Sequence, residues 1–502
     1  MSSHVDYNDI QGIVRFGYAR MTEASYYLVK IRNAAVARSW LAGAPVTSAV
    51  KLDQPPKTAL QVAFTRQGLE ALGVPPFVMA GFSSEFLAGM AEEDRSRRLG
   101  DTGQDSPSNW RWGSSGKIPH AVVMLFGEPS FLSAWEQSVK GQFWETGFEQ
   151  IECLKTSNHD GREPFGFVDG ISQPEIDWEQ KRNVSINGYE RNYSNVVCLG
   201  EILLGYTNEY GRYTDRPLLD SRDPDSSEFP PAEDHPGKTD FGKNGTYLVM
   251  RQLAQDVRGF WQFLDKAANS NAAERHNLGS LMVGRRLSDG TPLAPLSPEA
   301  IAGISSNGKE AMLNHFTYDS DVDGTHCPYG AHVRRANPRN PDIPGTPRGL
   351  IATLIRTLGF GNKNFRDDLV ASTRFHRILR RGREYGPELS ADEALEPAPP
   401  NDAERGLHFL AINSNIQRQF EFVQNAWLMR TKFNGLTEES DPIIGNRETV
   451  VGCPFTNTFS IPQNATIRRR VAGLPQFVFV RGGAYFFLPS FNVLRYLCKL
   501  GD

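Results

Sequence analysis

Apolar residues fall along this chain in two kinds of run. Residues 26–32 (YYLVKIR), 59–66 (ALQVAFTR) and 120–127 (HAVVMLFG) are short, rich in β-formers and bounded by polar residues, so each predicts a strand. After the second run, Thr65-Arg66-Gln67-Gly68-Leu69 opens a helical stretch that closes at Gly73. After the third, Leu132, Trp135 and Val139 recur at helical spacing beyond Glu128-Pro129. The same rhythm returns later. Residues 246–251 (TYLVMR) predict a strand, and Leu253, Val257, Phe260, Trp261 and Leu264 predict one face of a helix. Near the end, Phe477-Val478-Phe479-Val480 and Tyr485-Phe486-Phe487-Leu488 flank Arg481-Gly482-Gly483-Ala484, a pattern that predicts a hairpin. Two α+β halves, the second loosely repeating the first, is the economical organisation.

Three stretches interrupt the rhythm. Residues 209–243 are rich in Asp, Pro, Gly and Ser and read as a long connection between the halves, or as a lid. Residues 340–373 form a second insertion, with Pro341, Pro344 and Pro347 ahead of a helical-looking LIATLIRTLGF, and residues 390–402 form a third loop. A length of 502 residues accommodates two domains, read as 1–220 and 221–502, or one large domain with insertions.

Composition removes several classes of function. The hydrophobic fraction of 39% with 22% charged residues is ordinary for a soluble globular chain. The 54 basic and 58 acidic residues nearly cancel, which argues against a nucleic-acid scaffold and against a membrane-surface role. No apolar run reaches the roughly 18 residues of a membrane span. The N-terminus lacks a basic start followed by an apolar core, so a cytoplasmic location is expected. Five scattered cysteines, at 153, 198, 327, 453 and 498, with no CxxC pair, disfavour a disulfide framework and a zinc site.

One histidine stands out by its setting. His332 lies in HCPYGAHVRRANPRN, with Arg334, Arg335 and Arg339 close behind. Nearby cations disfavour a protonated imidazole, and a metal needs the neutral form. Those arginines also suit an anionic ligand such as a pair of carboxylates, and haem offers an iron and two propionates together. The plainer alternative is that His332 packs or caps while the arginines meet solvent or acids. Asp169 raises a similar choice. It sits within Pro164-Phe165-Gly166-Phe167-Val168-Asp169-Gly170, one carboxylate in an apolar, glycine-framed stretch. It is either a turn aspartate or the one polar group aimed into an apolar site.

Several segments, taken in order, resemble the dye-decolorizing peroxidases (DyP-type haem peroxidases), in particular their longer members. Gly166-Phe167-Val168-Asp169-Gly170 matches the GxxDG signature of that family and continues into Ile171-Ser172-Gln173-Pro174. Residues 332–339 look like its HxRxxNPR segment, and Ile378-Leu379-Arg380-Arg381-Gly382 looks like its LRRG segment. Glu201 to Tyr206, Val283-Gly284-Arg285-Arg286, Gly406-Leu407-His408-Phe409, Gln419-Phe420-Glu421-Phe422 and Gly482 to Phe487 look familial as well. The likeness spans roughly residues 8 to 490. Arg380 follows His332 by a wider gap than most of the family shows, which leaves Arg377 and Arg381 as alternatives for its role.

The resemblance implies an α+β fold of two ferredoxin-like domains with antiparallel sheets and peripheral helices, of the dimeric α+β barrel superfamily. The first would carry the GxxDG segment and the second most of one haem b per chain. It implies a haem peroxidase that uses hydrogen peroxide to oxidise dyes, phenolics and other one-electron donors through a high-valent iron-oxo intermediate. A haem-handling or haem-iron-releasing protein with incidental peroxidase activity is the alternative, and a haem-free binding scaffold is a third reading. His332 would bind the iron, leaving a position open for peroxide. Asp169 would carry the proton and Arg380 would stabilise charge as the O–O bond breaks. Leu407 and Phe409 would form an apolar pair above the haem. Arg285, Arg334 and Arg339 are candidates for the propionates, or for structural ion pairs. Glu421 is the candidate to accept the second imidazole N–H, or else a buried helix residue paired with an arginine. Expected partners are hydrogen peroxide and aromatic or dye donors, with no nucleic acid, no membrane and a possible homo-oligomer. Bulky donors would be oxidised at the haem edge or through a surface Trp or Tyr radical.

Overall fold

The strand runs are apolar without alternation because both faces of the sheet are buried. In β1 (Glu23–Ile31), Tyr27 and Val29 enter one core while Tyr26 and Leu28 enter the other. In β3 (Ala121–Gly127), Val123 and Leu125 oppose Val122, Met124 and Phe126 in the same way. The computed structural model describes residues 4–181, 195–220, 222–295, 313–314, 316–339, 373–464 and 466–501.

The remaining sheet strands are β2 (Thr58–Phe64), β4 (Phe148–Lys155), β5 (Thr246–Gln255), β6 (Leu379–Arg380), β7 (Arg383–Tyr385), β8 (Gly406–Asn413) and β9 (Val478–Leu488). Their order is β6-β8-β5-β9-β2-β3-β1-β4, with every neighbouring pair antiparallel. β6 and β7 pair with β8 in one common register, so they act as a single interrupted strand. Numbered within its own half, each set of four strands then lies in the order 2-3-1-4. That is the ferredoxin-like arrangement, present twice, and the fold is α+β with antiparallel strands, as the resemblance implied. The halves meet where Phe487 of β9 pairs with Phe64 of β2.

Helices cover the faces. In α1 (Ala34–Gly43) the Asn33 side chain accepts from Val36 N–H, and Ala37, Trp40 and Leu41 are buried. α2 (Arg66–Leu72) and α3 (Leu132–Lys140) follow where the spacing predicts them. α4 (Val257–Ala267) starts at Asp256, whose carboxylate accepts from Gly259 N–H, and it buries Val257, Phe260, Trp261 and Leu264. Leu253, read as part of that helix, instead belongs to β5, because the Asp256 cap fixes the helix start three residues later. α5 (Ala272–Val283) packs beside α4.

The predicted hairpin at 477–488 is one continuous strand with a bulge between Val480 and Gly482. Its glycines mark close approach rather than a turn. A Cβ at Gly482 would lie 2.6 Å from the Trp112 ring, and one at Gly483 would lie 2.5 Å from the Met90 sulfur. The stretch at 209–243 is tied down. Buried Arg216 pairs with Asp234 and Asp240, and Leu219, Phe229 and Phe241 enter a core. None of its described residues lines the cavity described below, which argues against the lid reading. The loop at 390–402 lies on α4, where Arg258 donates to the carbonyls of Glu393 and Glu396. The insertion at 340–372, with its helical-looking piece, lies outside the described residues. Among the described residues no helix is long and apolar enough to cross a membrane.

Replacing Gly482 with Ala should overpack the Trp112 contact and cost about 1–3 kcal/mol, read as a lowered urea midpoint at unchanged slope.

Candidate functional site

A cavity opens on the second half's part of the sheet. Its floor is built by period-two alternation on three neighbouring strands. Arg251, Leu253 and Gln255 come from β5, Leu407 and Phe409 from β8, and Val478 and Val480 from β9. These residues are cross-strand partners: Leu407 faces Leu253, Phe409 faces Arg251, and Val478 faces Gln255. Leu407 and Phe409 thus contribute apolar side chains to the cavity floor.

His332 enters the cavity at the start of the short helix α6 (His332–Ala336). Its Nδ1 lies 3.0 Å and 3.1 Å from the two carboxylate oxygens of Asp441. Asp441 is fully buried and also accepts from the N–H groups of Ile443 and Ile444, at 2.9 Å each. Nothing among the described residues hydrogen-bonds Nε2 of His332, so the bond to Asp441 presents that nitrogen as the ring's available donor site. Burial works to lower the His332 pKa, and the Asp441 carboxylate outweighs it, so the imidazole is raised. Burial likewise works to raise Asp441, and the imidazole outweighs it, holding the carboxyl below its usual range. Arg380 works in the expected direction, disfavouring protonation of His332, and Asp441 outweighs it.

The helix geometry explains where those arginines go. His332, Val333, Ala336 and Asn337 line the cavity, while Arg334 and Arg335 project from other faces. Arg334 is buried against Asp321 and donates to the Cys327 carbonyl between the rings of Tyr318 and Tyr329. Arg335 latches the helix to the carbonyls of Trp427, Glu439 and Arg430. Arg339 is buried over the Phe316 ring, donating to the Phe316 carbonyl and to Ser172 Oγ. Neither Arg334 nor Arg339 lines the cavity, so both are corrected from ligand-contacting to structural positions. Glu421 needs the same correction. Its carboxylate takes Arg95 at 2.8 Å and the Tyr485 hydroxyl at 2.9 Å, away from His332. Asp441, in Ser440-Asp441-Pro442-Ile443-Ile444, is the residue missed. An acid before Pro-Ile-Ile was the available signal, because such a carboxylate readily takes the next peptide N–H groups.

Asp169 comes from a small hairpin that leaves the first half and docks on the second. Phe165 packs on Phe260 at 4.5 Å and Phe167 stacks near Trp261, both on α4. Gly166 (φ 97°) and Gly170 (φ 76°) both occupy the left-handed region, which is the conformational reason for glycine at each. Arg380, at the end of β6, donates from Nη1 to Asp169 Oδ1 at 3.1 Å. Its backbone N–H is held by Gln173 Oε1 at 3.0 Å. Arg381 points to the other face of the sheet, where it donates to the carbonyls of Ile13 and Val14. Arg377 lines the cavity but is held by Asn337 and Asn195. Of the three arginines, Arg380 is the one that meets Asp169. Burial works to raise the Asp169 pKa, and Arg380, the Gly170 N–H and the more distant His332 outweigh it, so the carboxyl is held below its usual range. The side chains of Asp169, Arg380 and His332 are 32%, 33% and 30% exposed, so each reaches the cavity.

Arg285 also lines the cavity, donating to the carbonyls of Gly290 and Leu313, and burial pushes its pKa down to about 10. Arg251 and Asp101 form a further buried ion pair in the lining. A mostly apolar cavity with the Nε2 of His332 available and several arginines in its lining fits a flat, anionic, iron-bearing cofactor.

No family model matches the chain. Relatives do, over nearly its whole length. The dye-decolorizing peroxidase msp1 of Mycetinis scorodonius is 29% identical, covering 98% of this chain and 88% of that protein. The dye-decolorizing peroxidase AauDyP1 of Auricularia auricula-judae is 28% identical, covering 97% and 86%. A crystal structure of a fungal DyP-type peroxidase from Auricularia auricula-judae matches with a TM-score of 0.71 at 26% identity, covering 99% of this chain and all of that one.

Asp441→Asn should weaken haem binding by roughly 10–100-fold in a Soret titration, since it removes the carboxylate that orients and polarises His332. Glu421→Gln should leave that affinity unchanged.

Proposed function

We propose that this chain, which belongs to the dye-decolorizing peroxidase family, is a haem b enzyme that uses hydrogen peroxide to oxidise dyes, phenolics and similar one-electron donors. The observation that carries this reading is the Asp169–Arg380 pair at 3.1 Å on the lining of the cavity that His332 enters. Haem, when bound, supplies an iron centre that accepts oxidising equivalents from peroxide two at a time and passes them to donors singly.

The chain's own residues bind and orient the cofactor, move the proton, place the charge and keep the site dry. His332 would hold the iron through Nε2. Asp441, which keeps Nδ1 as the protonated nitrogen, gives the ring anionic character. Asp169 takes a proton from one oxygen of a hydrogen peroxide beside it and gives it to the other, so that water is the leaving group. Arg380 supplies a fixed positive charge against the negative charge that grows as the O–O bond lengthens. Leu407, Phe409 and Leu253 keep the floor apolar, which limits competing water and strengthens those charges. Arg285 is the cavity-lining arginine, among those proposed for the propionates, that remains a candidate for them.

An aspartate base suits acid conditions. Because Arg380 holds Asp169 below its usual range, the proton-accepting form persists to lower pH than for an unperturbed carboxylate near ~3.9. Dye oxidation should therefore be fastest in mildly acidic buffer. A rate that rises steadily into alkaline buffer would contradict Asp169 as the proton carrier.

Asp169→Ala and Arg380→Ala should each lower peroxide-dependent turnover by about 10²–10⁴-fold with haem retained. Retained turnover would favour a haem carrier over an enzyme. Removing Arg380 also takes away the largest opposition to burial at Asp169, leaving only the Gly170 N–H and the more distant His332 against it, so its pKa rises. The acidic limb of the residual activity should move to higher pH in Arg380→Ala, and a limb that stays in place would contradict the pairing.

A further inference from the structure

We propose that Glu163 is a positioning residue for Asp169: its carboxylate organises the hairpin that holds Asp169 against Arg380. The inference rests on the reading of Asp169 as the proton carrier.

The hairpin is closed by few backbone contacts. Arg162 bridges Val168, Asp169 N–H donates to the Gly161 carbonyl at 3.0 Å, and Glu163 N–H donates to the Phe167 carbonyl at 2.9 Å. At its tip the chain turns through Gly166. The peptide N–H groups of Phe165 and Phe167 point inward and are met by the Glu163 side chain. Phe165 donates to Oε2 at 3.0 Å and Phe167 to Oε1 at 3.0 Å. From β5, Gln255 Nε2 adds a third hydrogen bond to Oε2 at 2.8 Å. A carboxylate has two acceptor oxygens and so satisfies both peptide groups at once, whereas a carboxamide has one acceptor and would turn an NH2 toward the other N–H.

The same contacts fix the hairpin to the half that carries Arg380. Gln255 ties Glu163 to β5, and β8 lies between β5 and β6. From outside, the Arg162 guanidinium clamps the tip, donating to the carbonyls of Gly166 at 2.6 Å and of Leu287 and Ser288 at 2.9 Å each. Asp169 lies two residues beyond Phe167. A shift of that strand of the hairpin therefore carries directly into the 3.1 Å contact with Arg380. Glu163 itself lines the cavity, and the hydrogen bonds of Arg380 go to Asp169, Ser172 and Gln173 rather than to it.

Cyanide association tests the proposal without turnover. Hydrogen cyanide, largely undissociated at pH 8, must give up its proton as it binds, so its rate of association reports the proton acceptor. The haem-loaded protein is used at pH 8, above the value of about 7 to which burial pushes the Glu163 carboxyl. The Soret shift reads the rate. Asp169→Ala alone should slow association. Glu163→Gln should slow it about tenfold, with the Soret band before cyanide and the melting temperature unchanged. In the Asp169→Ala background the same substitution should add nothing, because a residue that acts only through another is silent once that other is gone. No slowing in Asp169→Ala overturns the reading of Asp169 and the proposal with it. Slowing there without an effect of Glu163→Gln, or an equal effect of Glu163→Gln in both backgrounds, overturns the proposal alone. Should Glu163→Gln fail to fold, Gln255→Leu, which removes one donor from the same carboxylate, takes its place. A smaller slowing is then expected with Asp169 present and none without it, and any other result overturns the proposal.

Discussion

A carboxylate and a guanidinium 211 residues apart in sequence meet at the edge of one cavity, and the architecture of the molecule serves that meeting. Asp169 follows the last strand of the first half. It reaches the cavity only because its hairpin leaves that sheet and buries Phe165 and Phe167 against α4 of the second half. Arg380 reaches it from the edge strand β6, which stands beside β8 because the second half repeats the strand order of the first. The charges offset much of each other's cost of burial, which is why the Asp169 carboxyl lies below its usual range despite apolar surroundings.

His332 solves a similar problem by a different route. One ring nitrogen is spent on a buried aspartate so that the other faces the cavity. The arginines that follow it brace the site. Arg334 and Arg335 hold α6 in place through a buried carboxylate and main-chain carbonyls, and the helix in turn fixes the ring. The two sides of the site thus rest on different supports: a hairpin organised by hydrogen bonds, and a short helix latched by guanidinium groups.

Much of this was legible in the sequence wherever the signal was local. The apolar runs found β1, β2, β3 and β5, and helical spacing found α3 and α4, because a doubly buried strand and a one-faced helix write their geometry into consecutive residues. Asp169, Arg380, His332, Leu407 and Phe409 all reach the cavity from segments the resemblance had singled out. Misreadings arose where the deciding partner is distant in sequence. Gly482-Gly483 looked like a turn, but Trp112 and Met90 occupy the space their side chains would take. Arg334 looked like a ligand for an anion, but its acid is Asp321, thirteen residues before it. Glu421 and Asp441 are both buried acids, and only the fold decides which of them His332 meets. Such choices depend on which elements pack together, which the order of residues along the chain does not state.

The central claim is that His332 is the protein's hold on the cofactor iron. The most direct measurement is the absorption spectrum of the haem-loaded protein and of its His332→Ala variant, before and after one equivalent of hydrogen peroxide. The account predicts a Soret band in the wild type that changes fully with that single equivalent, and its loss in the variant. A variant with the same band and the same response would contradict it.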